Sequence, residues 1–219
     1  MSKRNTRRNR PSRHYRRVHT KKGKKKILIN PKIKKPSRKT KVRGTITKSH
    51  RKVFNYISDP NKFTYEFGGG IDFDKKGRIE NINVAPGSTY EIDLPPDFEV
   101  QYHTHPDRKI SPPSPEDVMA LLDNKDQQAE IIFRDGKSFQ IIKTPSSKAL
   151  SKLPATHLFS MLDKAFYSSI GPNFEENWKK KLEELGFIVY INNNPNQPMN
   201  VRIKPVEPKY KKKRKRKWK

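Results

Sequence analysis

The sequence contains no cysteine. Disulfides and thiolate metal sites are therefore excluded, and any metal must be held by His, Asp or Glu. No apolar run approaches the length of a membrane span. Ile27-Leu28-Ile29 is too short for the hydrophobic part of a signal peptide, although it follows a basic start. Core formers are scarce: of 219 residues 31% are apolar and 33% are charged, so part of the chain cannot bury itself. Acids are missing altogether from residues 1–44, which hold 20 Lys/Arg, and residues 201–219 contain 11 Lys/Arg beside the single acid Glu207. An Arg-rich, acid-free start also suits a mitochondrial transit peptide. This one is Lys-heavy and broken by Pro11, Pro31 and Pro36, which argues against that use.

What remains is ordinary. Residues 45–200 contain 19 basic and 21 acidic residues, although the whole chain has a net charge of +28. A near-neutral domain thus carries two polycationic extensions. The length suits one domain plus such extensions. Residues 1–44 show no helical or strand period and read as a basic arm, disordered in isolation. Residues 45–200 read as the folded domain, and 201–219 as a basic tail.

Within the domain, Ile46, Val53, Phe54 and Ile57 have the spacing of a short amphipathic helix, roughly 47–57, stopped by Asp59-Pro60-Asn61. Phe63–Phe67 and Ile71–Phe73 read as strand pieces. The intervening Gly68-Gly69-Gly70 reads as a tight turn or a close backbone approach; no Lys-Ser/Thr phosphate motif follows it. Asp74–Gly77 reads as a hairpin turn, Arg78–Val84 as a strand, Pro86-Gly87 as another turn, and Phe98–Tyr102 as a strand leading to His103. A helix should run from Ser114 to about Asn124. Glu130–Arg134 and Ser138–Lys143 flank the hairpin signal Asp135-Gly136. Pro154–Ser168 and Phe174–Leu185 look helical, Gly186 caps the second, and Phe187–Ile191 reads as a last strand. This mixture predicts an α+β fold, helices packed around a largely antiparallel sheet.

Two residues invite a metal reading. His103 and His105 lie two apart at the end of a strand, so both imidazoles point to one face and can reach one zinc. Asp117, in the first turn of the next helix, can supply a third ligand. Three protein ligands leave a fourth position for water, whose pKa zinc lowers toward about 7. A plainer account exists for the helix start. Ser114 at N-cap, Pro115 at N1 and acids at N2 and N3 make a good N-terminus without any chemistry. His157, beside Leu158 and Phe159, reads as structural, while His14, His19 and His50 sit in basic context and read as solvated.

His103-Thr-His105-Pro106, a Pro/Ser-rich spacer and Ser114-Pro-Glu-Asp117 resemble the HxHP…SxxD motif of the JAMM (JAB/MPN) zinc metallopeptidases. Glu66-Phe-Gly-Gly69, after the first predicted helix, is similar to the upstream glutamate context of that family, and Val100-Gln-Tyr102 resembles its approach to the first His. The likeness covers roughly residues 45–145. The His105–Ser114 spacer is one residue longer than usual, so that loop must bulge, and the Glu66–His103 segment is short. Glu80 and Glu91 remain alternatives for the glutamate. The resemblance implies a JAB/MPN-like mixed sheet flanked by helices. It also implies zinc on His103, His105 and Asp117, Glu66 as general base, and Ser114 as oxyanion stabiliser. The implied reaction is hydrolysis of an amide bond, in relatives often an isopeptide bond to ubiquitin or a ubiquitin-like protein. Some members lack the ligands and act as scaffolds.

The extensions suggest a second partner. Lys21, Lys22, Lys24, Lys25 and Lys26, with Lys211, Lys212, Lys213, Arg214, Lys215, Arg216 and Lys217, would neutralise phosphates of DNA or RNA with little sequence preference. Tyr15, Tyr210 and Trp218 could stack on bases. Such runs also read as nuclear-localisation signals, which implies an intracellular, nuclear chain with no membrane partner. Similar arms occur in ribosomal proteins and in viral packaging proteins. Two functions follow: a metallopeptidase held at nucleic acid, or a non-enzymatic nucleic-acid-binding or virion protein with a JAMM-like scaffold core.

Overall fold

The structure, a computed structural model, describes residues 40–88, 92–94, 97–105 and 112–205. Nine strands and five α-helices form in these segments: β1 (Thr40–Ile46), α1 (Lys48–Ile57), β2 (Phe67–Phe73), β3 (Ile79–Ile82), β4 (Ala85–Pro86), β5 (Val100–Thr104), α2 (Pro115–Asp123), β6 (Ala129–Arg134), β7 (Lys137–Ile142), α3 (Pro145–Lys148), α4 (Ala155–Tyr167), α5 (Phe174–Glu184), β8 (Ile188–Asn192) and β9 (Met199–Pro205). The class is α+β, as expected. The main sheet has the order β3-β2-β5-β6-β7-β8, with β4 paired to β2. Every pair is antiparallel except β5–β6. That parallel pair needs a crossover, and α2 lies within the connection.

Both faces of the sheet are covered. Phe54 of α1 stacks on Phe133 at 4.3 Å and meets Tyr102 edge-on at 4.9 Å. With Ile46, Val100, Ile131, Val201 and Ile203 these rings form one core cluster. The other face packs Ile132, Phe139 and Ile141 against Leu121 of α2, Leu158 and Leu162 of α4, and Trp178 and Leu182 of α5. Alternation along β6 sends Ile131 and Phe133 to the first cluster and Ile132 to the second, as a strand buried on both sides requires.

Several local expectations hold. The helix expected over roughly 47–57 is α1, and Thr47 caps it by accepting from the His50 N–H. The Asp74–Gly77 and Asp135-Gly136 turns join antiparallel strands, and Gly186 adopts a φ of 92° after α5. Others need correction. Of Phe63–Phe67 only Phe67 is extended in a ladder. Gly68-Gly69-Gly70 is not a turn but the body of β2, facing His103, Tyr102 and Gln101 across the ladder. Its other expected role, close approach, is the one it has. A Cβ on Gly70 would fall 1.9 Å from the Phe98 ring, and one on Gly69 2.0 Å from the Asn83 carbonyl oxygen. Arg78–Val84 shortens to β3, and the expected Pro86-Gly87 turn begins inside β4. His157 is exposed on α4 rather than structural.

The domain boundaries also move. The expected breaks at 44/45 and 200/201 each cut a strand, because β1 and β9 form an antiparallel ladder from Thr40↔Pro205 to Ile46↔Met199. Charge counting missed this ladder because Lys41, Arg43 and Arg202 lie on it among Ile46, Val201 and Ile203, which are buried. A chain of residues 40–205 is expected to unfold cooperatively in urea. Cutting to 45–200 should cost about 3 kcal/mol or more, since Val201 and Ile203 alone are worth about 1.5–3 kcal/mol each. Equal midpoints for the two chains would show that the ladder is dispensable.

Candidate metal centre

Strand β5 has an unusual alternation. Val100 and Tyr102 face the α1 side, so Gln101, His103 and His105 face α2. In a half-exposed strand that polar row would meet water. Here Gln101 is 3% and His103 2% exposed. Buried polar groups need partners, and neighbouring elements provide them.

Asp117 arrives from the first turn of α2, where the β5–α2 connection brings the helix N-terminus over the end of β5. Its carboxylate has two tasks. Oδ2 accepts from the Ser114 N–H at 2.6 Å, while Ser114 Oγ accepts from the Asp117 N–H at 3.1 Å. This is a complete capping box. The same carboxylate lies 3.4 Å from His103 Nε2 through Oδ1 and 3.4 Å from His105 Nε2 through Oδ2. The capping account and the ligand account of Ser114-Pro-Glu-Asp117 thus describe one arrangement: the cap fixes the carboxylate that faces the imidazoles. Trp178 of α5 holds the start of this turn, donating from Nε1 to the Pro113 carbonyl at 2.8 Å.

The two Nε2 atoms stand 2.9 Å apart, and potential ligand atoms of His103, His105 and Asp117 all lie within 4.8 Å of one another. The fit to a cation is chemical as well as geometric. Two carboxylates, the buried Glu130 and the partly buried Asp117, face the imidazoles, and among the described residues neither forms an ion pair with Lys or Arg. Glu130 Oε1 lies 2.9 Å from His103 Nδ1. The contact is close but poorly aligned for a hydrogen bond, and Glu130 Oε2 has no partner. A divalent ion at the Nε2 atoms would balance this buried negative charge and leave Nδ1–H to Glu130. The group can therefore hold a metal ion, and its N2O donor set suits zinc among other divalent ions.

Electrostatics agree with the geometry. Burial would push the Asp117 carboxyl up, but His103 and His105 hold it well below the usual range. Burial would lower His103, yet Asp117 and Glu130 together raise it well above an ordinary imidazole. Glu130 is raised, burial outweighing His103. Glu66 is also raised by burial, opposed by the nearby His103 and His105.

Glu66 precedes β2 and is held through its neighbours. Its N–H donates to Ser88 O at 2.8 Å, its carbonyl accepts from Gly87 N–H at 2.8 Å, and the Phe67 N–H donates to Thr104 Oγ1 at 2.9 Å. Thr104, fully buried between the two His residues, thus ties the Glu66 segment to the imidazole strand. Of the alternatives for the glutamate, Glu80 is exposed on β3, and Glu91 lies outside the described residues. So do Pro106, most of the His105–Ser114 spacer, and the arm residues Lys21–Lys26 and Lys211–Lys217.

Sequence reasoning brought Glu66, His103, His105, Ser114 and Asp117 into view; the fold groups His103, His105 and Asp117, with Ser114 capping the helix that carries Asp117 and the Glu66 carboxyl within electrostatic reach of both imidazoles. It missed Glu130, Thr104 and Trp178. Glu130 carried a faint signal, a lone acid in the otherwise core-like strand Ala129–Arg134. Comparison with family models, curated proteins and solved structures found no match to this chain.

Elemental analysis of purified protein should find about one divalent metal per chain, lost in the His103→Ala/His105→Ala double variant. Glu130→Gln should weaken metal affinity about 10–100-fold, the usual scale for an outer-shell carboxylate on a ligand His. Unchanged affinity in a competition titration would remove Glu130 from the centre.

Proposed function

We propose that this protein is a zinc metallopeptidase or isopeptidase of the JAMM (JAB/MPN) type, held at nucleic acid by its basic arms. The observation that carries the reading is convergence. The motif residues His103 and His105, both buried, and the partly buried Asp117 bring their ligand atoms within 4.8 Å of one another, and the raised Glu66 carboxyl is close enough to feel both imidazoles.

Bound zinc would supply Lewis-acid activation of water and of the substrate carbonyl. The chain's own residues account for the remaining requirements. Glu66, whose burial makes its carboxylate more basic than usual, accepts the proton of the attacking water and passes it to the leaving amine as the C–N bond breaks. The water oxygen stays on the carbonyl carbon. Ser114 Oγ, which accepts from the Asp117 N–H, keeps its hydroxyl proton free to donate to the developing oxyanion. Thr104 and Glu130 act as positioning residues for Glu66 and His103.

The substrate class is an amide in a protein, with isopeptide conjugates of ubiquitin or a ubiquitin-like protein as the first to test. The basic runs at Lys21–Lys26 and Lys211–Lys217 support DNA or RNA as a second partner and a nuclear location. The same runs favour the alternative, a nucleic-acid-binding or virion protein whose core serves as a scaffold.

Glu66→Gln separates the two. A panel of isopeptide-linked and linear ubiquitin-like conjugates, incubated with zinc-loaded protein, should be cut by the native chain. The variant should cut at least about 100-fold more slowly, the scale of a lost general base, with its zinc content intact. Turnover unchanged by the substitution would sink the role of Glu66. Zinc-loaded protein inert on the whole panel would favour the scaffold.

A further inference from the structure

The β1–β9 ladder does more than complete the core. Thr40 faces Pro205, so the chain before Thr40 and the chain after Pro205 join the domain at the same end of one strand pair. Residues 1–39 hold 18 Lys/Arg and no acid, and residues 206–219 hold nine Lys/Arg and one acid. Segments more than 160 positions apart in sequence therefore start from neighbouring points.

Next to this ladder the domain has a cavity of about 570 Å³, lined by Lys41, Arg43, Gly44, Lys75, Lys76 and Gly77 among others. Arg43 builds its wall. The register of β1 slips between Val42 and Gly44, and such a bulge re-aims a side chain. Here the guanidinium reaches the β2–β3 turn, donating to Phe73 O at 2.6 Å and Asp74 O at 3.0 Å, and pairs with Glu99 at 3.1 Å. Glu99, the acid of the lining, is thereby engaged. Thr45 N–H donates to Gly77 O at 3.0 Å, which closes the turn against β1. Lys41, Lys75 and Lys76 are exposed and enter no ion pair among the described residues. Three unpaired ammonium groups thus surround a concave surface whose acid is already neutralised.

We propose that this cavity is a seat for the phosphodiester backbone of nucleic acid, placed at the common root of the two basic segments. The inference rests on the reading that those segments bind nucleic acid, and adds that the folded domain holds part of the same strand. Lysine suits this task, since it meets phosphate as a point charge without demanding one geometry. The seat carries no base-reading group, so contacts here position the nucleic acid without selecting sequence. A strand gripped at the root lies at a defined place on the domain.

The test uses the full chain and a labelled 20-base-pair DNA duplex, with a 20-nucleotide RNA in parallel, followed by anisotropy from about 50 to 200 mM salt. Lys41→Gln/Lys75→Gln/Lys76→Gln is compared with a control that removes equal charge from exposed lysines elsewhere, Lys125→Gln/Lys164→Gln/Lys180→Gln. Each phosphate contact contributes about 0.9 to the slope of log K against log salt on duplex DNA. The seat variant should lose about 2–3 of that slope, the control little, and Lys41→Arg/Lys75→Arg/Lys76→Arg should keep it. Equal losses in the seat variant and the control would overturn the seat and leave the basic segments as the binders. Equal sensitivity of poly-glutamate binding would overturn phosphate as the ligand. Native chain that binds neither nucleic acid at 50 mM salt would overturn the arm reading itself.

Discussion

Burying the polar face of β5 is the constraint on which the rest of the structure depends. Two imidazoles cannot be moved out of water without partners. The partners come from two directions: Asp117 from the start of α2 and Glu130 from the adjacent parallel strand β6. Both directions follow from the single parallel pairing in the sheet. A parallel pair forces a crossover, and the crossover helix delivers its N-terminus to the end of the strand it has just left. Were β5 and β6 joined as a hairpin, no helix start would stand over the His pair.

The region around this centre is organised to keep it in place. The glycines of β2 let Phe98 and the Asn83 carbonyl come close to the strand beside the His residues. Thr104 uses its hydroxyl to tie the Glu66 segment to β5, and Trp178 ties the turn before α2 to α5. The metal reading thus rests on supports from three separate elements. This is what a preorganised site requires, because ligands held only by their own backbone would shift with it.

The basic segments obey a different physics. Their charge cannot build a core, yet the residues next to them do: Ile46, Val201 and Ile203 sit in the main cluster while Lys41 and Arg202 share the same strands. One ladder therefore belongs to both regimes, apolar on its inner side and cationic on its outer side. It fixes where the charge is rooted relative to the folded domain.

Much of the local structure could be read directly. Helices α1, α2, α4 and α5, the two hairpin turns and strand β8, though not β9 after it, follow from periodicity and turn residues, which act over a few positions. The i,i+2 spacing of His103 and His105 pointed to a site for the same reason, being local geometry, whereas Ser114 read locally as a helix cap and entered the site only through the family resemblance. What the sequence could not decide were the long-range pairings. It placed Lys41–Arg43 and Arg202 in arms because charge dominates a short window, while the antiparallel partner lies about 160 residues away. It read Gly68-Gly69-Gly70 as a possible turn because the crowding that requires glycine comes from Asn83 and Phe98, outside any local window. It passed over Glu130 because an acid in a strand is usually exposed, and only the β5–β6 register, which pairs Glu130 with Gln101 two residues before His103, brings its carboxylate to that imidazole. Short-range sterics and hydrogen bonding determine which residues can do chemistry. Which of them meet is set by strand order, and strand order depends on the burial of the whole domain at once.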